Sequence, residues 1–336
     1  MTINTEPQQP RVIDSTDHLK KVLGIPYSPE QLEAITAPLG QAQAIIAGAG
    51  SGKTAVMAAR VVWLVGHVGV APESILGLTF TTKAASELGR RVRSSLSAAG
   101  VITDEGEPEV STYHAFASAL IREHGLRIGV EPDLQVLSAA KRFQLAANVV
   151  HSHVGRLEFV SASTASTVKA LLALDGQLSE HLKTTDELRE HDRVLIADLE
   201  NLPKRIKFQT EVLEAAQRRT ELSWLVDEYR EAKRTANAMD FSDQMAWGAQ
   251  LAQSEDVIES LQNRFSVILL DEYQDTSIAQ RDLLQSLFRG QSISAVGDPA
   301  QGIYGWRGAA SGNLTGFLGD FADAQSNPGQ AFSLSV

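Results

Sequence analysis

Cysteine is absent from this chain of 336 residues. That excludes disulfides, thiolate zinc sites and cysteine-ligated iron–sulfur clusters within it. Long apolar runs are absent too. No 18 apolar residues follow one another, so no membrane-spanning helix and no membrane partner are expected. The opening MTINTEPQQPRVIDSTDH has no charged segment followed by an apolar one and does not read as a secretory signal. A cytoplasmic location is therefore the expectation. Positive charge is scarce: 30 Lys and Arg stand against 41 Asp and Glu, a net charge of −11. Proteins that hold nucleic acid by bulk attraction are usually basic, so any nucleic-acid site here must be local. Metal-ligand histidines are also few. His151 and His153 form an H-x-H with no third candidate close by, and they read as surface residues.

What remains is an ordinary globular composition, 43% hydrophobic and 6% aromatic, in a length that suggests about two domains. Residues 1–17 are polar and expected to be loose. SPEQLEAI (28–35) has the marks of a helix start, with Ser28 as cap, Pro29 in the first turn and Gln31 three residues after the cap. Short apolar runs follow: QAIIA (43–47), SILGLTF (74–80), PEVST (108–112), SVILL (266–270) and SISAV (292–296). Each has strand length, and helical stretches separate them. That pattern predicts a parallel sheet with working loops at the carboxyl ends of its strands. Between about 117 and 235 the strand signals stop. Leu222, Leu225, Val226 and Tyr229 fall on one helix face, and Thr184 with Glu187 has capping-box spacing. We read an α/β domain interrupted by a mostly helical insertion.

AGAGSGKT (47–54) lies between the strand QAIIA and a helical stretch, the context a phosphate-binding loop needs. Ala47, Gly48, Ala49, Gly50, Ser51 and Gly52 would bring backbone N–H groups to phosphate oxygens. Lys53 would reach the β- and γ-phosphates, and Thr54 would ligate Mg²⁺. VILLDEYQDT (267–276) brings two acids to a strand end. Asp271 can hold Mg²⁺ and Glu272 can activate a water for hydrolysis. Asp271 stands 218 residues after Lys53, so the insertion is expected to be held against the nucleotide domain.

Set in order, these segments resemble the first half of the superfamily 1A DNA helicases, the UvrD/Rep/PcrA group. YSPEQLEAI (27–35) is similar to the family's adenine-reading glutamine motif, with Gln31 in that role. AGAGSGKT, LTFTTKAASEL (78–88), STYHAF (111–116), LLDEYQDT (269–276) and VGDPAQGIYGWRGA (296–309) resemble motifs I, Ia, Ib, II and III. MDFSDQM (239–245) resembles the segment that closes the inserted domain. VGDPAQGIYGWRGAASGNL is also similar to the actinobacterial AdnB-like helicases.

The resemblance implies a RecA-like ATP-binding domain over 18–116 and 236–336, with an inserted helical domain over 117–235. It implies ATP and Mg²⁺ as cofactors, and single-stranded DNA and duplex junctions as partners. Gln301 would sense the γ-phosphate. Tyr304 and Trp306 would stack on bases, as would Phe80, and stacking tolerates any sequence. Thr81, Lys83, Thr112, His114 and Arg307 would complete the DNA face, positioning the strand without reading sequence. PKRIKF (203–208) reads equally as a duplex contact or an exposed helix end, and Arg230, Lys233 and Arg234 as a solvated helix face.

Two departures stand out. Ala55 occupies the place of the family's adenine-stacking arginine, which leaves nucleotide selectivity open. The family's second motor domain, with its catalytic arginines, has no counterpart here. The chain is therefore expected to be an N-terminal piece of a 3′→5′ motor acting in repair or recombination, weak or inactive alone. The second RecA-like domain would be supplied in cis or in trans, with a helicase or nuclease subunit as a further partner. A nucleotide-gated DNA-binding module without turnover is the alternative. A nucleotide switch unrelated to nucleic acid is a third reading, against which the Ia, Ib and III segments count.

Overall fold

The computed structural model describes residues 12–101, 106–302, 312–322 and 329–335. Tyr304, Trp306 and Arg307 lie outside the described residues. The chain divides into two compact units. One comprises residues 1–116, 252–276 and 281–336, the other 117–251 and 277–280.

The first unit is built on a fully parallel six-stranded sheet. Its strands are β1 (Gln43–Ala47), β2 (Ile75–Thr79), β3 (Glu109–Thr112), β6 (Val267–Leu270), β7 (Ser292–Gly297) and β8 (Gln330–Leu334), in the order β3-β2-β6-β7-β1-β8. Five of the six are the runs expected from sequence. Every residue of β2 and β6 is buried, as expected for strands covered on both faces. The sixth, β8, was not expected. It is an edge strand with three exposed residues of five, and so carries no continuous apolar run. The sheet, flanked by helices, is the mixed α/β, RecA-like architecture foreseen.

The direction in which strands are added to the sheet reverses at β1. The strand pairs with β7 on one side and β8 on the other, while the helix after it, Lys53–Trp63, leads to β2, two strands beyond β7. Such a switch point leaves a crevice at the strand ends where ligands bind. Val56, Ala59, Val62 and Trp63 of that helix pack with Ile35, Ile45 and Val296 in one core cluster. Ile13 is fully buried, and its backbone N–H donates to Gly66 O at 3.0 Å, although it falls within the N-terminal stretch expected to be loose.

The second unit is helical: Ala139–Ser152, Thr164–Glu180, Thr185–Glu200, Lys207–Thr235 and Phe241–Leu251. A two-residue pairing of β4 (Gln135–Val136) with β5 (Ala238–Met239) accompanies them. The Thr184–Glu187 capping box forms. Leu222, Leu225, Val226 and Tyr229 are buried together against Val149, Val168 and Leu171. The reading of Arg230, Lys233 and Arg234 as a solvated face is corrected. Lys233 is 3% exposed, and its Nζ lies 3.1, 3.4 and 2.7 Å from carboxylate oxygens of Asp175, Asp240 and Asp243. Burial pulls its ammonium pKa down, and the three acids more than offset that, so the net shift is upward. Arg230 pairs with Asp175 at 2.7 Å, and Arg234 stays outside with Glu231. Among the described residues no helix is long and apolar enough to cross a membrane.

Candidate functional site

The loop after β1 takes its shape from glycine. Gly50 and Gly52 both have φ of +82°, the left-handed region where a side chain would be strained. Gly52 is also the N-cap of helix Lys53–Trp63, and no side chain caps that end. Its first N–H groups therefore receive no cap from a side chain at Gly52, as an anion site requires. Ser51 is buried, and its hydroxyl donates to Gly48 O at 2.8 Å, closing the loop on itself.

Gln31 reaches this loop from a distance in sequence. Ser28 and Gln31 form the capping box of helix Pro29–Thr36. The same Gln31 donates Nε2–H to Ser51 O at 2.9 Å. One amide thus caps its own helix and touches the phosphate loop. The far end of that helix is fixed by Arg60, a residue not singled out from sequence. Arg60 is 2% exposed, and its Nη1 donates to the carbonyls of Ala34, Ile35 and Ala37 at 3.0–3.2 Å. Burial alone lowers its pKa to about 10. A polar residue inside the otherwise apolar run AVMAARVVW was the available signal.

Opposite the loop, β6 ends at Asp271 and Glu272. Asp271 is 6% exposed; its N–H donates to Leu78 O at 2.8 Å, and Thr79 Oγ1 lies 3.5 Å from its Oδ2. Tyr113 donates its hydroxyl to Asp271 O at 3.3 Å. Burial first, and the neighbouring charge of Glu272 second, push the Asp271 carboxyl up to about 6, against the opposing pull of Lys53. Glu272 is strained, with φ 49° and ψ 41°. For a non-glycine residue this costs roughly 1–3 kcal/mol, a cost met at functional sites. Its Oε2 lies 3.2 Å from Lys53 Nζ. The structure thus brings Lys53 against Glu272, with Asp271 the residue before it.

The site's donors suit a magnesium nucleotide. A lysine, a glycine-shaped helix N-terminus and a buried carboxylate beside a second acid present complementary charges to phosphate and to a hard cation. Thr54 is the second residue of the helix. Gln301 follows β7 on a short turn, where its Nε2 donates to Asp298 Oδ2 at 2.6 Å. Asp298 overlooks the phosphate loop: a Cβ built on Gly48 would lie 3.9 Å from its Oδ2.

The residues assigned to DNA follow β2 and β3. Thr81 caps helix Thr82–Ala98 by accepting from Ala84 N–H at 3.1 Å, which leaves its own hydroxyl hydrogen to donate. Lys83 is exposed in the first turn of that helix. Thr112 accepts from Ala115 N–H at 3.1 Å. Phe80 and His114 are half-buried. A groove of about 340 Å³ runs beside them, with Thr82, Ser86, Arg93, Ser111 and Thr112 among its lining residues. The PKRIKF segment lies between two helices of the other unit. Arg205 donates there to Leu199 O at 3.2 Å, and Ile206 and Phe208 are exposed.

Comparison with known proteins agrees with this geometry. The profile of the UvrD/REP helicase N-terminal domain matches residues 27–322. DNA helicase II of Haemophilus influenzae is 29% identical over 296 residues, which cover 87% of this chain and 36% of that protein. DNA helicase II of Rickettsia typhi is 30% identical, with 83% and 38% covered. The ATP-dependent DNA helicase PcrA of Staphylococcus aureus is 28% identical, with 88% and 36% covered. The chain thus spans well under half the length of these relatives.

Proposed function

The chain belongs to the UvrD/REP helicase N-terminal domain family, and from that premise we propose that it is the ATP-binding motor portion of a DNA helicase that translocates on single-stranded DNA. In this reading Gln31 reads the adenine, and the 47–54 loop with Lys53 holds the phosphates. Thr54 and Asp271 hold Mg²⁺. The ion, when bound, supplies charge neutralisation between phosphate oxygens. Glu272 takes the proton of the attacking water, and Gln301 senses the terminal phosphate. Phe80, Thr81, Lys83, Thr112, His114, Tyr304, Trp306 and Arg307 hold the DNA strand. Translocation from 3′ to 5′, work at duplex junctions and a place in repair or recombination are carried by the family likeness alone.

The observation that carries the proposal is the Lys53–Glu272 contact at 3.2 Å. It unites the phosphate-binding lysine and the hydrolytic acid, 219 residues apart in sequence, at one strand-end crevice. The test is a titration of the chain with a fluorescent ATP analogue, with and without Mg²⁺, followed by a labelled mixed-sequence single strand. Mg²⁺-dependent nucleotide binding that alters DNA affinity is expected. A chain that binds neither ligand would overturn the proposal.

A further inference from the structure

Behind Glu272 lies a polar residue to which the chemistry above gives no task. Gln274 is 4% exposed. Its Nε2 donates to Glu272 Oε2 at 2.8 Å and to Asp275 Oδ2 at 3.1 Å. Its Oε1 accepts the Asp298 N–H at 3.1 Å. The amide has one workable orientation. Turned over, its oxygen would face two carboxylate oxygens and its NH₂ would face an N–H.

A steric fact points the same way. A Cβ on Gly297 would lie 2.2 Å from Gln274 Oε1. Gly297 is not among the glycines of positive φ, so what a side chain there would meet is this amide, with Leu314 Cδ2 next at 3.1 Å. Asp298 continues the path. Its carboxylate accepts from Ala300 N–H at 2.9 Å and from Gln301 Nε2 at 2.6 Å. An unbroken line of hydrogen bonds thus runs Glu272–Gln274–Asp298–Gln301.

We propose that Gln274 is a positioning residue that ties the hydrolytic carboxylate to the 297–302 turn, so that nucleotide sensed at Gln301 and the aim of Glu272 change together. The proposal rests on the roles given above to Glu272 and Gln301. Its physical basis is the cost of the alternative. If the turn moved without Gln274, a buried amide oxygen and a half-buried backbone N–H would both lose their partner. The turn and Glu272 therefore move as one or stay as one. Gln274 touches no reacting atom; it acts through Glu272 on one side and Asp298 on the other.

Two variants separate the halves of the link. Gln274→Glu, studied at a pH where its carboxyl is ionised, keeps an acceptor for Asp298 N–H and loses the donor to Glu272. Gln274→Met keeps the shape and loses both. Amide exchange of the 297–302 segment is followed on the 336-residue chain, with and without Mg²⁺ and a slowly hydrolysed ATP analogue. Nucleotide affinity is measured on the same samples. Without nucleotide, Asp298 should exchange at least about tenfold faster in Gln274→Met than in the parent, and near the parent rate in Gln274→Glu. Nucleotide should slow exchange of the segment in the parent and leave it unchanged in both variants, with affinity held within about threefold.

A parent-like Asp298 rate in Gln274→Met would overturn the link, and so would a parent-like nucleotide response in either variant. Should Gln274→Met not fold, Gln274→Glu still decides through that response. Failure of the parent to bind nucleotide would count against the proposed function. The comparison without nucleotide would still decide the link.

Discussion

Lys53 and Glu272 face each other at 3.2 Å, yet they should fail differently when altered. In the proposed function Lys53 is the cation that the loop directs at the terminal phosphates. Lys53→Ala should therefore weaken binding of a fluorescent ATP analogue by at least about tenfold, with the melting temperature held within a few degrees. Unchanged affinity would remove the loop from the nucleotide site. Glu272→Gln keeps the shape, and its amide cannot take a proton. Nucleotide affinity should stay near the parent value while hydrolysis, measured in the presence of the second motor domain, falls by about 10²-fold or more. Turnover at the parental rate would mean that another group is the base. The strained φ of +49° at Glu272 gives a reason for this sharpness. Under the proposed role, the backbone would be held where the carboxylate must point, not where it is most relaxed.

At the scale of elements, the proposed nucleotide site depends on a helix that contributes one contact at each end. Helix Pro29–Thr36 brings Gln31 to Ser51 by its first turn and gives the carbonyls of its last turn to Arg60. Those carbonyls belong to the orphan acceptors of any helix end, and burial denies them water. Arg60→Met keeps the apolar stem and removes the donors. It should cost roughly 2–4 kcal/mol of stability in denaturant titration, and ATP-analogue affinity should fall as Gln31 loses its support. A change below about 0.5 kcal/mol, within the range of surface substitutions, would show that the helix is held by its apolar face alone. The strands and the two capping boxes were readable because each rests on residues within a few positions of one another. Arg60 and Lys233 were not, because their partners come from other helices. On its own helix Lys233 carries the marks of a solvated cation, and the apolar run around Arg60 tells that it is buried without telling what it meets.

At the scale of the whole molecule, charge sets the terms on which DNA can be held. With a net charge of −11, bulk attraction is absent and stacking should carry a large share of affinity. Trp306→Ala should weaken binding of mixed-sequence single strands by roughly 1–3 kcal/mol, with little dependence on sequence. That loss should persist as salt is raised. Lys83→Ala should instead lower the slope of log affinity against log salt by about one counterion. Titrations at several salt concentrations, with thermal melts on the same preparations, check both. A large fall in melting temperature with normal DNA affinity in the folded fraction would assign Trp306 to packing.

The sequence alone was enough for the strand–glycine loop–helix over 43–63, the strand ends and the family, because each is a local arrangement. A strand, a glycine turn and a helix start fit within AGAGSGKT and its neighbours, and short-range geometry follows from short-range order. Only the tertiary structure decided what stands opposite each surface. It placed β8 beside β1, turned Lys233 inward onto three acids, and set Gln274 between Glu272 and Asp298. Periodicity tells which residues share a face. It cannot tell what that face will meet, because the meeting depends on how segments far apart in the chain bury each other's surface and complete each other's hydrogen bonds.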